Sequence, residues 1–333
     1  SVGPYGGGGW RGWLDRPLSV AGRVVIRQGD RLVSRLVNID RDLLVIPGVA
    51  IHMDRSVNKG AELNPAVDLL PLLGCGKEPG TFRKLIAEAA GVREEHLLST
   101  ELFLYPRTKA VQTGLNGEFI VSPRLDDLQC VFGCLEGFLA AKPGGSLPVL
   151  AVFNNEEVGS STRQGADSTF LTDVLERIAH GCGLDSEAWK AAVANSFMVS
   201  ADNAHAVHPN HPEKYDANNR AFLNAGVVVK HNANQKYTTD AVSAAVFKLF
   251  CEKVNVPCQT FTNRSDMAGG STLGNIANTK VSLNTVDIGL PQLAMHSPYE
   301  TAGTNDTCYF CGVAKKFFSS SVQVKANGIY EIR

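Results

Sequence analysis

The sequence has no excess of either charge. Lysine plus arginine number 32 and aspartate plus glutamate 33, so the formal net charge is −1. A nucleic-acid grip needs a basic face, and this balance argues against one. No apolar run approaches the roughly 18–20 residues needed to span a bilayer, which argues against a membrane protein. Ser1 to Trp10 is glycine-rich rather than basic and then apolar, so no secretory leader is expected there. Eight cysteines are scattered without a disulfide-scaffold pattern. Cys308 and Cys311 form a single C-x-x-C pair, and Cys130 and Cys134 lie one helical turn apart. The expectation is mostly buried, reduced thiols in a cytosolic protein. Internal repeats and low-complexity linkers are also lacking. What is present is a 333-residue chain, 44% hydrophobic and 20% charged. That suits a soluble globular protein with a large core, in two domains or one large one.

The first third reads as β-rich. Leu18–Ile26 is a strand, Gln28-Gly29-Asp30 a turn and Leu32–Val37 its hairpin partner. Leu43–Ile46 is a further strand, stopped by Pro47-Gly48. Asn58 to Gly80 looks like a long loop. Thr81 can cap a short helix through Gly91, with Leu85, Ile86, Ala89 and Ala90 on one face. Leu97–Leu104 is again strand-like. No βαβ repeat runs through this region, so a separate, mostly β module is expected at 1–115.

From about 116 strands and helices alternate. Glu118–Val121 is a strand, and Asp126 opens a helix carrying Leu128, Val131, Phe132, Leu135, Phe138 and Leu139 at helical spacing. Leu147–Val152 is a short apolar run that reads as a buried strand. A helix with Phe170, Leu171, Val174, Leu175 and Ile178 follows. Phe197–Val199 is a strand running into Asp202, and Gly226–Val229 one running into Lys230. A helix carries Val242 to Phe250, Val281–Ile288 is a strand, and Phe310 to Phe317 lie on a last helix. The pattern predicts an α/β domain over 116–333, a mixed sheet with helices on both faces.

The chemistry gathers at strand ends. Phe153-Asn154-Asn155-Glu156-Glu157-Val158-Gly159-Ser160 puts two adjacent carboxylates on a turn after an apolar run. In open α/β sheets ligands collect outside the carboxyl ends of the strands. Adjacent residues there point in different directions. One glutamate can bind a metal while its neighbour handles protons. Asp126, Asp202 and His296 each follow an apolar segment too, and only the fold can bring them together. Carboxylates mixed with imidazole suit zinc or manganese better than calcium. Taken singly the signals have plain alternatives: an acidic turn, a helix-start aspartate matched to the dipole, a core histidine.

Together these segments resemble one family. Ser122–Asp127 (SPRLDD), Asn155–Ser160 (NEEVGS), Ser200–Pro209 (SADNAHAVHP) and Pro291–Ser297 (PQLAMHS) look like the motifs of the aspartyl aminopeptidase family, in order, within a resemblance running from about Tyr5 to Phe318. The resemblance implies cytosolic, dinuclear-zinc, dodecameric aminopeptidases assembled from dimers, with two Zn2+ per subunit (Mn2+ or Co2+ as substitutes) and a zinc-aminopeptidase/phosphorylase-like catalytic domain beside a β-rich dimerisation domain. It implies that Asp126 bridges both metals, Asp202 holds one, and Glu157 and His296 hold the other. Glu156 is then the general base. Lys230 would receive an acidic first side chain of the peptide substrate, with His205 and Tyr237 lining the same pocket. His52 forms a His-x-Asp with Asp54 that could pass for a metal motif. Its flanks match a family histidine of the dimerisation domain that reaches into a neighbouring subunit's site, so His52 is expected to act in trans.

The family's own His-x-Asp metal motif lies ahead of the Tyr5–Trp10 region, and this sequence begins at Ser1. The resemblance therefore implies one weak metal site, with Asp126 and Asp202 alone, and apolar surface left uncovered. The expected function is removal of an N-terminal residue, preferentially Asp or Glu. The alternatives are a non-catalytic assembly subunit or fragment, and a related dinuclear deacylase or carboxypeptidase.

Overall fold

The computed structural model describes residues 2–76, 78–142, 144–267 and 269–333. The chain divides into two compact units, Ser1–Lys109 and Ala110–Arg333. The sequence reading puts the change of texture near 115. The strand Val111–Thr113 pairs with Phe119–Ser122 and so belongs to the second unit.

In the first unit the strand Leu18–Gln28 is central, with Arg31–Asn38 and Leu97–Pro106 antiparallel on either side. Gln28 pairs with Arg31, so Gly29 and Asp30 form a two-residue hairpin loop, with Gly29 at φ +61°. Leu18, Val20, Val24 and Ile26 sit on one face of the central strand, as the two-residue period of a strand requires, and pack on Ile86 and Ala87 of the helix Thr81–Ala89. Two details differ from expectation. Leu43–Ile46 makes only isolated bridges, Leu44 to Leu18 and Val45 to Leu72. The helix is entered through Gly80 in the left-handed region rather than through a Thr81 side-chain cap.

The second unit is α/β with mixed sheets. One has the order Phe197–Ala201, Asn284–Gly289, Val227–His231, Cys258–Thr262; its first and last pairings are parallel and its middle one antiparallel. The other runs Val111–Thr113, Phe119–Ser122, Glu300–Gly303, Pro291–Leu293, Ala204–His205. Strand alternation sorts the faces. Val286 and Ile288 join Phe247 and Phe250 of the helix Ala241–Lys253 and Phe310 and Val313 of the helix Thr304–Phe318 in the main core. Asp287 and Ser200 point the other way, against Gly274 of the helix Leu273–Asn278. Helices therefore cover both faces of this sheet.

Two expectations fail here for the same reason. Of the six apolar residues at helical spacing on the helix Leu125–Leu139, Val131 and Phe138 are partly buried, Phe138 against the main core, whereas Leu128, Phe132, Leu135 and Leu139 are exposed, Leu139 at 70%. The helix instead packs through its small residues. A Cβ on Gly133 would collide with Phe310 and one on Gly137 with Ala314, so these glycines allow the helix Thr304–Phe318 to lie close. Leu147–Val152 forms no ladder among the described residues, and Leu147, Val149 and Val152 are exposed. Apolar periodicity identifies a face that seeks cover; it does not say which neighbour covers it.

Candidate metal centre

Each expected ligand sits where regular structure stops. After the strand Phe119–Ser122, Arg124 takes φ +59° and the chain enters the helix Leu125–Leu139. Asp126 (φ −81°, ψ 115°) and Asp127 (φ −112°, ψ 26°) are not helical, and the peptide between them is cis. Asp126 is thus not the helix-opening residue that its position suggests; its backbone turns the carboxylate out of the helix. Glu156 and Glu157 lie on a 3-10 turn, Glu156–Val158, held between Asn155 at φ +59° and Gly159 at φ +94°. Asp202 follows the strand Phe197–Ala201 and continues its ladder, donating its N–H to Ile288 O at 3.1 Å. Close approach matters here: a Cβ on Gly289 would overlap the Asp202 carbonyl. His296 lies in the turn after Pro291–Leu293, with Ala294 at φ +56° and its own φ at +64°.

The fold joins these ends. His296 Nε2 is 3.1 Å from Asp126 Oδ2 and 3.2 Å from Glu157 Oε2. Asp126, Glu157 and His296 offer donors that all lie within 4.8 Å of one another. A second set, Asp126, Asp127 and Asp202, meets the same limit, and Asp126 belongs to both. Burial pushes the carboxyls of Glu156 and Glu157 up to about 7, Asp202 and Asp126 adding to it for Glu156 and Asp126 for Glu157. Asp127 is raised well above the carboxylate range by burial and by Asp202. Carboxylates crowded this closely resist ionisation unless a positive charge is supplied.

The remaining expected residues fall in three places. Lys230 is buried. It lies within the strand Val227–His231, 2% exposed, with Nζ 3.2 Å from Asp202 Oδ2 and 5.4 Å from the centre of the Tyr237 ring. Burial works against its charge, but Asp202, Tyr237 and Asp287 outweigh it and raise the pKa. Tyr237 is itself buried. His205 is exposed, its ring 6.2 Å from that of Phe261. His52 lies exposed on a turn of the first unit and belongs to neither carboxylate set.

Sequence reasoning missed three contributors. Asp127, which closes the motif Ser122–Asp127, joins the second set. Glu300, 2% exposed, accepts hydrogen bonds from the backbone N–H of Asp126 (3.0 Å) and of His296 (2.8 Å). Asn203, also buried, donates to Gln129 Oε1 at 2.8 Å and to Leu290 O at 3.1 Å, tying the residue after Asp202 to the helix that follows Asp126. The available signals were weak: an acid beside an acid, and a glutamate a few residues after a histidine.

The profile of the family described as aminopeptidase I zinc metalloprotease (M18) matches residues 1–318. The chain belongs to the M18 family. Its relatives are named as aminopeptidases, hydrolases of peptide bonds. One is the probable M18 family aminopeptidase 2 of Clostridium acetobutylicum, 47% identical over 321 residues that make up 95% of this chain and 74% of the relative. Among solved structures, a chain of the Ape4 and Nbr1 complex is 35% identical with a TM-score of 0.88, covering 95% of this chain and 65% of that one. The yeast mApe1 dodecamer is 26% identical with a TM-score of 0.77, covering 95% and 72%. The chain thus spans about three quarters of the curated M18 relative and somewhat under two thirds of the Ape4 chain.

The M18 metal is zinc, and the donors suit it. Two carboxylates and one imidazole converge, the mixed oxygen and nitrogen set that zinc accepts. Asp126 Oδ1 and Asp127 Oδ1 are buried without a hydrogen-bond partner among the described residues. Such an orphaned carboxylate oxygen is costly unless a cation takes it. No helix among the described residues is long and apolar enough to cross a membrane.

Proposed function

We propose that this chain carries the catalytic centre of a zinc aminopeptidase that removes an N-terminal Asp or Glu from peptides. The observation that carries the reading is the convergence of Asp126, Glu157 and His296, with a buried Asp126 oxygen left for a cation. Glu157 and His296 would hold one ion, Asp202 the other, and Asp126 would bridge. Zinc supplies Lewis acidity that polarises the scissile carbonyl and acidifies water. Glu156 shares the turn of Glu157 but belongs to neither donor set. It is therefore available to take a proton from the attacking water and return it to the departing amine. Lys230 brings a buried positive charge beside the second donor set, where an acidic first side chain would find a partner; Tyr237 packs under it, and the exposed His205 is near enough to feel its charge.

The donor sets are unequal. The one with His296 has mixed ligands, whereas the other is all carboxylate, and Asp202 already shares Oδ2 with Lys230. The second ion is accordingly the weaker in this chain, and Mn2+ or Co2+ are reasonable substitutes for zinc.

The first unit is assigned to dimerisation, with dimers building a dodecamer, the assembly state of the mApe1 structure. Leu32, Leu36 and Met53 support this, exposed at 69%, 83% and 83%. His52 would act from that unit in a neighbouring subunit's site. The expectation of mostly buried thiols is not met: only Cys130 and Cys251 are buried, and Cys75, Cys182 and Cys308 are exposed.

The test is metal content together with substrate choice. Zinc bound per chain, with turnover of Asp-anilide above Leu- and Lys-anilides, supports the reading. Cleavage of N-acylated amino acids alone would point to the deacylase, and a chain free of zinc to an assembly subunit.

A further inference from the structure

The ligands Asp126 and His296 come from opposite ends of the unit's sequence, and both sit on backbone that does not hold itself. Arg124, two residues before Asp126, has φ +59°; Ala294 and His296 have φ +56° and +64°. These are left-handed conformations in residues with a Cβ, which persist only when their surroundings fix them. One carboxylate reaches both segments. Glu300 opens the strand Glu300–Gly303, pairs with Ser122 across the sheet, and is 2% exposed. Its Oε2 accepts from Asp126 N at 3.0 Å and its Oε1 from His296 N at 2.8 Å. The bonds go to backbone, while the side chains of Asp126 and His296 meet each other at the metal site, Oδ2 to Nε2 at 3.1 Å.

We infer that Glu300 is a positioning residue for the metal centre, setting the spacing between Asp126 and His296 by clamping their amides with its two carboxylate oxygens. The inference rests on the metal-centre reading above. The two loops are far apart in sequence; the sheet pairing of Glu300 with Ser122 fixes the clamp relative to the first, and that of Thr301 with Leu293 relative to the second. An amide in place of the carboxylate cannot do this. Glutamine has one acceptor and one donor, and the donor would face an N–H. One amide would stay held and the other would be pushed away.

The experiment compares the wild-type chain with Glu300→Gln and Glu300→Asp. Zinc affinity is measured by competition with a chelator, and Co2+-loaded protein is examined by visible absorption, which reports ligand geometry rather than stability. Asp306→Asn serves as a control, since Asp306 is also fully buried and accepts backbone N–H groups, from Asn224 and Gly226, away from the donor sets. Glu300→Gln is expected to bind zinc about tenfold to a hundredfold more weakly and to shift the Co2+ bands, while Asp306→Asn lowers the melting temperature with the bands unmoved. Glu300→Asp, with both acceptors on a shorter stem, should show the same changes and serves if Glu300→Gln does not fold. Unchanged zinc affinity and Co2+ bands in a folded Glu300 variant overturn the positioning role and leave the metal centre standing. A wild-type chain that takes up neither zinc nor Co2+ overturns both.

Discussion

Lys230 and Asp202 form a buried ion pair, Nζ to Oδ2 at 3.2 Å, with side chains only 3% and 18% exposed. The pair joins a residue assigned to substrate choice to one assigned to the metal. The two assignments are therefore coupled, and a variant at either position reports on both.

Replacing Lys230 by Leu leaves the Asp202 carboxylate buried without its partner. Breaking a buried pair costs about 3–5 kcal/mol, so a lower denaturation midpoint is expected. With zinc kept in excess, turnover of Asp-anilide should fall further than that of Leu-anilide. Equal loss on both substrates would remove the specificity role and leave Lys230 as support for Asp202.

Under the proposed function the adjacent Glu156 and Glu157 have separate tasks, proton transfer and metal binding. Glu156→Gln should keep its zinc and lose turnover by about 10²–10⁴-fold, the usual contribution of a general base. Glu157→Gln should lose zinc from the His296 site. Metal analysis beside kinetics distinguishes them, and zinc loss in Glu156→Gln would make that residue a ligand instead.

Gly137 lies against Ala314, where an added Cβ would overlap both its side chain and backbone. Gly137→Ala is expected to destabilise the chain by about 1–3 kcal/mol through overpacking. Thermal unfolding tests it; an unchanged midpoint would mean that the two helices separate freely.

Asp306 gives a pH dependence away from the metal. Its carboxyl is buried, and that burial pushes it from 3.8 up to about 6, against the hydrogen bonds from Asn224 and Gly226. The folded chain holds this proton to higher pH than the unfolded one. Stability from this group is thus full below about pH 4 and falls as pH rises to about 6, by roughly 3 kcal/mol for about two pKa units. The difference in unfolding free energy between wild type and Asp306→Asn, followed from pH 4 to 7, should shrink as pH rises. A constant difference would rule the effect out.

His52 provides a test of assembly. Mixed oligomers of His52→Ala and Glu156→Ala chains should recover activity that neither variant has alone, because each intact residue comes from a different chain. No recovery in verified mixed oligomers would count against action in trans.

Several features were legible in the residues alone. The hairpin at Gly29-Asp30 and the strands into Asp202 and Lys230 follow from local patterning, because a strand's two-residue period and a turn glycine act over a few residues. The motifs around Asp126, Glu157, Asp202 and His296 also identified the family. The apolar stripe on the helix Leu125–Leu139 was right for Phe138, which meets the core, and misled for Leu128, Phe132, Leu135 and Leu139, since Gly133 and Gly137 form the closely packed face and carry no hydrophobic signal. Leu147–Val152 misled as well, because β-branched residues do not specify a ladder partner.

The sequence by itself determined the chemistry available to this protein: a few carboxylates, an imidazole and a lysine at the ends of apolar segments. Only the tertiary structure decided which of them meet. It brought Asp126 to Glu157 and His296, drew Asp127 and Asp202 into a second set, buried Lys230 on Asp202, and gave Glu300 both ligand backbones to hold. The physical reason is that these contacts join residues far apart along the chain. Their distances depend on sheet register and helix packing, which no local pattern encodes.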